Sequence, residues 1–123
     1  MILADTSIWV AHLRSGVGAL VELLEQQSVL MHPMVVGELA CGNLRNRPEI
    51  LEALQLLPPA PVATHEEALG LIERKRLMGR GIGYIDVHLL ASSLLAGDAR
   101  LWTTDARLAS AAARLFIAFD PAR

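Results

Sequence analysis

Four carboxylates are the residues of this chain whose type and placement could do chemistry. Asp5 closes the short apolar run Ile2-Leu3-Ala4 and is followed by two hydroxyls, Thr6 and Ser7. Asp105 closes a second such run, Arg100-Leu101-Trp102-Thr103-Thr104-Asp105. Glu38 interrupts the apolar stretch from Met34 to Gly42, and Asp86 sits in the first turn of the most regular helical pattern in the chain. Each has a bland explanation when taken singly. Asp and Thr are good helix caps, a negative charge in a first turn is favoured by the helix dipole, and a lone Glu usually edges a solvated face. Glu38 is less comfortable, because it is spaced to share a face with Val35 and Gly42, where an ionised side chain is costly unless paired.

Together the four acids call for a cation, since carboxylates gathered in a small space repel one another and resist ionisation. Magnesium takes oxygen ligands, keeps several waters and uses few protein carboxylates per ion. Cys41 is the only cysteine and the four histidines are scattered, so no zinc set is present and Mg²⁺ or Mn²⁺ is favoured. Such a site suits phosphodiester hydrolysis. One metal lowers the pKa of an attacking water, and a second, about 3.5–4 Å away, stabilises the leaving oxygen. Thr6, Ser7 and Thr103 are placed to orient ligands or metal-bound water by hydrogen bonds. His12, His32, His65 and His88 are read as surface or structural residues.

Alternating strands and helices must position these groups. Strands are predicted at Ile2–Ala4, Ser28–Met31, near Ala60 to Ala63, at Arg100–Thr103 and at Leu115–Phe119. Helices are predicted over Ser7–Leu13, over Val17–Leu24 and after His32-Pro33. Others follow from Pro48 to Leu57, from Thr64 towards Met78, from Tyr84 to Gly97 and from Ala106 to Ala113. Thr64 with Glu67 three residues on forms a capping box. Val87, Leu90, Ala91, Leu94 and Leu95 recur at helical spacing behind Asp86. The glycine-rich Gly79-Arg80-Gly81-Ile82-Gly83 has no strand before it, so it is read as a loop at the mouth of a site. The connections are too long for hairpins, which predicts a mainly parallel central sheet in a three-layer α/β/α architecture.

The chain of 123 residues is expected to form one domain, 1–123. It is 53% hydrophobic but only 4% aromatic, so the core must be aliphatic, which favours helices packed on a sheet over an aromatic-anchored sandwich. That apolar fraction also leaves surface for a partner, a second copy of the chain or another protein. No run reaches the roughly 18 apolar residues of a membrane span, and Asp5 interrupts the only apolar start that could resemble a leader. A lone thiol fits a reducing, cytoplasmic setting. The formal net charge is −2, and discounting the four candidate ligands moves it to +2, so nucleic acid is not excluded if a divalent metal is bound. Arg74, Lys75, Arg76 and Arg80 are candidates for phosphate contact, against the alternative of a helix end whose cations complement the macrodipole.

The quoted blocks carry a resemblance. Leu-Ala-Asp5-Thr-Ser-Ile-Trp, Val-Val-Gly-Glu38-Leu-Ala-Cys-Gly, Gly-Tyr-Ile-Asp86-Val-His-Leu-Leu-Ala and Leu-Trp-Thr-Thr-Asp105 occur in the order found in PIN-domain ribonucleases. Within that superfamily the chain resembles the VapC toxins. The resemblance places Asp5, Glu38, Asp86 and Asp105 on the family's acidic quartet and Thr103 on its strand-end hydroxyl. It implies a Mg²⁺- or Mn²⁺-dependent endoribonuclease with a central sheet ordered 3-2-1-4-5. It also implies a homodimer and inhibition by a cognate VapB-type antitoxin. Three rivals are weighed against it. A phosphate-accepting receiver domain would need paired acids near the first strand and a Lys after a late strand; Asp5 has no acidic neighbour, and Lys75 precedes the last two strands. A PIN-like module without catalysis has no reason to concentrate repulsive acids. A nuclease acting on structured DNA is not separable from one acting on RNA at this level.

Overall fold

The computed structural model describes residues 1–122. Its elements are β1 (Ile2–Ala4), α1 (Thr6–Ser15), α2 (Gly18–Glu25), β2 (Val29–Leu30), α3 (Pro33–Ala40) and α4 (Arg47–Gln55). They continue with α5 (His65–Lys75), α6 (Tyr84–Ala96), β3 (Arg100–Trp102) and α7 (Ala106–Arg114). The strands form one parallel sheet in the order β2-β1-β3. Ile2 pairs with Val29 on one side and Arg100 on the other, so all three carboxyl ends open on the same edge. All three residues of β1 are buried. Successive side chains on a strand point to opposite faces, so helices must cover the sheet on both sides. This is the α/β architecture expected, with parallel strands and helical crossovers.

The aliphatic core follows from the composition. Leu3, Leu20, Leu90 and Leu108 are fully buried, with Leu101 almost so. Trp102, one of the few aromatics, packs edge-on against Phe119 with ring centroids 5.4 Å apart.

Two of the five expected strands do not form. The segment near Ala60 contributes a single parallel bridge, Met31 to Pro59, and the segment near Phe119 another, Leu101 to Ala118. Pro58, Pro59 and Pro61 lack the N–H that a longer ladder needs, and Phe116 takes φ +61°, which breaks an extended run. The sheet therefore has three strands among the described residues, flanked by one bridge on each side. Helix ends differ as well. α1 starts at Thr6 because Asp5 caps it. α4 spans Arg47–Gln55, ending before Leu57. α5 ends at Lys75 instead of reaching Met78, because Arg76 turns left-handed at φ +51°.

α5 and α6 lie side by side and run in the same direction. His65, first in α5, hydrogen-bonds through Nδ1 to the hydroxyl of Tyr84, first in α6. Leu71 and Arg74, late in α5, share a groove with Ala91, Leu94 and Leu95, late in α6. This arrangement decides which end of the helix pair faces the carboxyl edge of the sheet.

Candidate active site

Asp5 and Asp105 are held by the ends of neighbouring parallel strands and by the helices they start. Asp5 donates its N–H to the carbonyl of Trp102 at 2.9 Å, which locks the two strand ends together. Its Oδ1 caps α1 through Ile8 N (3.2 Å) and accepts the Ser7 hydroxyl at 2.5 Å. Its Oδ2 accepts the Thr103 hydroxyl. Thr103 Oγ1 in turn accepts from Asp105 N at 3.0 Å, and Ser7 Oγ accepts from Thr104 N at 3.1 Å. Two hydroxyls thus stitch the two strand-end loops together, with Asp5 buried at their centre. Asp105 Oδ1 caps α7 by accepting from Arg107 N (2.8 Å) and Leu108 N (3.2 Å).

Glu38 and Asp86 arrive from helices. Thr6 Oγ1 donates to Glu38 Oε1 at 2.5 Å, tying α3 to the first turn of α1. Glu38 does not lie on an apolar face: Val35 and Leu39 form the buried side of α3, and Glu38 is exposed beside them. Its charge therefore keeps access to water, and the expected burial cost is absent. Asp86 Oδ2 accepts from Gly83 N at 3.0 Å, which closes the first turn of α6.

Asp86 senses the other three acids. Burial of this half-exposed carboxyl raises its pKa, and the charges of Asp105, Asp5 and Glu38 raise it further, against the opposing pull of the Gly83 N–H. The four carboxylates, each from a different element, are thus near enough to act on one another through their charges. Among the described residues, no three acidic, histidine or cysteine side chains already close around a common point as a finished metal cage. The donor chemistry nevertheless fits a hard divalent cation, being all oxygen and mutually repulsive.

The basic candidates are placed differently. Arg74 and Lys75 end α5, level with Leu94 and Leu95, about 12 Å along the axis of α6 from Asp86. Arg80 Nε donates to the carbonyl of Arg76 at 2.8 Å. The structure thus gathers the acids, Thr6, Ser7 and Thr103, while Arg74 and Lys75 lie at the other end of the helix pair. Two histidines are core residues. His32 caps α3 through Nδ1 to Met34 N (3.0 Å), and its ring centroid lies 6.4 Å from that of His88. His32 Nε2 and His88 Nδ1 are buried without a hydrogen-bond partner among the described residues. Burial, and secondarily His88, lower the His32 pKa. Sequence periodicity carried no signal for this pairing, which depends on how α3 and α6 cross.

The carboxyl edge of this α/β domain carries Asp5 and Asp105 joined by two bridging hydroxyls, with Glu38 and Asp86 on adjoining helices. The chain belongs to the PIN domain family, whose sequence pattern matches residues 2–114. It is 48% identical over 118 residues to Ribonuclease VapC32 of Mycobacterium tuberculosis, in both strain CDC 1551 / Oshkosh and strain H37Rv. The match spans 96% of this chain and 95% of the relative. A receiver-domain reading is thereby set aside.

Proposed function

We propose that the protein is a divalent-metal-dependent endoribonuclease, the VapC-type toxin of a toxin–antitoxin pair. The observation that carries the reading is the hydroxyl network that links Asp5 to Asp105 through Thr103 and Glu38 to α1 through Thr6, with Asp86 near enough to sense all three charges. Full-length similarity to a protein named as a ribonuclease supports it. Asp5, Asp86, Asp105 and Glu38 would hold Mg²⁺ or Mn²⁺, which supplies an activated water and offsets charge on the leaving oxygen. Thr103 and Ser7 fix the Asp5 carboxylate, and Thr6 fixes Glu38, so the acids are held in place before substrate arrives. The whole chain, 1–123, is read as one nuclease domain.

The partners follow the same reading: an RNA substrate, a VapB-type antitoxin and a second copy of the chain. Exposed apolar side chains such as Leu56, Val62, Leu95 and Phe116 offer surface for protein partners. No helix among the described residues is long and apolar enough to cross a membrane, and the place of action is read as the cytoplasm. The test is to offer the purified protein, with Mg²⁺ or Mn²⁺, a mixed RNA pool beside matched single-stranded and duplex DNA. Internal cleavage of RNA alone is expected. Cleavage confined to DNA would replace the substrate assignment, metal-independent cleavage would overturn the metal role, and absence of cleavage would favour a binding module.

A further inference from the structure

The loop joining α5 to α6 folds back to the carboxylates and meets a cation there. Gly81 in this loop has φ +76°, and a Cβ built on it would stand 2.6 Å from Arg107 Cδ and 2.8 Å from Nη1. The Arg107 side chain therefore lies directly across the glycine; a Cβ there would push it aside and would strain the backbone at this φ. Arg107 is the second residue of α7, and its own N–H binds Asp105 Oδ1. Two residues past Gly81, the N–H of Gly83 binds Asp86 Oδ2. Arg107 thus lies between the segments that carry Asp105 and Asp86, with its side chain over Gly81. Its side chain makes no ion pair with any described residue.

Several other cations are committed or distant. Arg100 opens β3 at the edge of the sheet opposite the acids, and Arg14 and Arg114 lie at the far ends of α1 and α7. Arg47 is spent on the carbonyls of Gly42 and Ala40 at the end of α3. Four carboxylates repel a phosphodiester, and one divalent ion offsets only part of their charge. An exposed guanidinium without an ion pair, lying across the loop that leads to Asp86, supplies the missing attraction. Its planar fork matches phosphate oxygens in a way that an ammonium does not.

We propose that Arg107, laid across Gly81, is a positioning residue that holds a non-bridging phosphate oxygen of the nucleic-acid chain beside the four carboxylates. This rests on the nuclease reading above. The test uses the full chain and a fluorescent single-stranded RNA from the cleavable pool. Binding is measured against salt in an Asp5→Asn background, with and without Arg107→Ala or Arg107→Lys, and KM and kcat are measured with Asp5 restored. Arg107→Ala should weaken binding about ten- to a hundred-fold, as expected for loss of a charge-assisted hydrogen bond. It should also make the log–log salt slope shallower by about 0.7, one single-strand phosphate contact. KM should rise, the melting temperature should hold, and Arg107→Lys should recover the slope but only part of the affinity. An unchanged slope and KM in Arg107→Ala, with wild-type protein cutting normally, overturns the proposal alone. A shifted melting temperature with an unchanged slope assigns Arg107 a purely structural role and also overturns it. Wild-type protein that neither binds nor cuts RNA removes the nuclease reading, and the proposal with it.

Discussion

Asp5 carries two separable duties, and a pair of substitutions divides them. As a candidate ligand it needs its negative charge; as the cap of α1 it needs only an oxygen at Oδ1. Asp5→Asn keeps that oxygen for Ile8 N and the Ser7 hydroxyl, and Asn caps about as well as Asp. It changes only the Oδ2 side, where the Thr103 hydroxyl donates, and it relieves repulsion on Asp86. Its stability should stay within about 1 kcal/mol of wild type. Asp5→Ala loses the cap, about 1 kcal/mol, and strands two hydroxyls that had a charged acceptor. Each such bond contributes about 1.5–3 kcal/mol when fully buried, but Ser7 and Thr103 are half-exposed and recover part of that from water. The net loss comes to about 2–3 kcal/mol, which for a domain of this size lowers the melting temperature by roughly 8–12 °C. Both variants should lose at least about a thousand-fold in RNA cleavage, equivalent to about 4 kcal/mol of transition-state stabilisation. Calorimetry and a cleavage time course on the same preparations decide the matter. Asp5→Asn with full activity would refute the ligand role, and Asp5→Ala as stable as Asp5→Asn would refute the capping account.

The remaining expectations concern pH. Asp86 has a raised pKa in the folded chain, so it favours folding most below the ordinary carboxylate value of 3.8 and loses that contribution as pH rises through its folded pKa. Metal-free Asp86→Asn should therefore be more stable than metal-free wild type at neutral pH, with the difference vanishing near pH 3 in a melting series. Mg²⁺ should stabilise wild type and leave Asp86→Asn nearly unmoved. His32 has the opposite sign: its lowered pKa gives stability that is full above its ordinary value of 6.5 and lost as pH falls through the folded pKa. Urea midpoints between pH 7.5 and pH 4.5 should show this loss, and His32→Asn, which keeps a cap at the start of α3, should flatten it.

Much of the site was legible in the chain because its residues obey local rules. Leu3-Ala4-Asp5-Thr6-Ser7 and Leu101-Trp102-Thr103-Thr104-Asp105 announce strand ends by composition alone, and the parallel pairing of β1 with β3 puts the two aspartates at one edge. Asp86 follows from the strong helical period behind it. What escaped depends on contacts between distant segments. The surroundings of Glu38 were misjudged, because the spacing to Val35 and Gly42 does not say that Glu38 faces solvent beside the first turn of α1. The flanking strands shrink to single bridges because prolines on one side and the left-handed Phe116 on the other cut the ladders. The parallel course of α5 and α6 places Arg74 and Lys75 away from the acids, and no periodicity encodes that course. Arg107 becomes visible only once Gly81 is seen beneath it.

The most direct test of the central claim is RNA cleavage by wild type and Asp86→Asn, each with Mg²⁺, with Mn²⁺ and with EDTA. The account predicts cutting by wild type with either metal, none with EDTA, and none by Asp86→Asn under any condition. Equal cutting in EDTA, or full activity in Asp86→Asn, would contradict the assignment of one metal-dependent site to the four carboxylates.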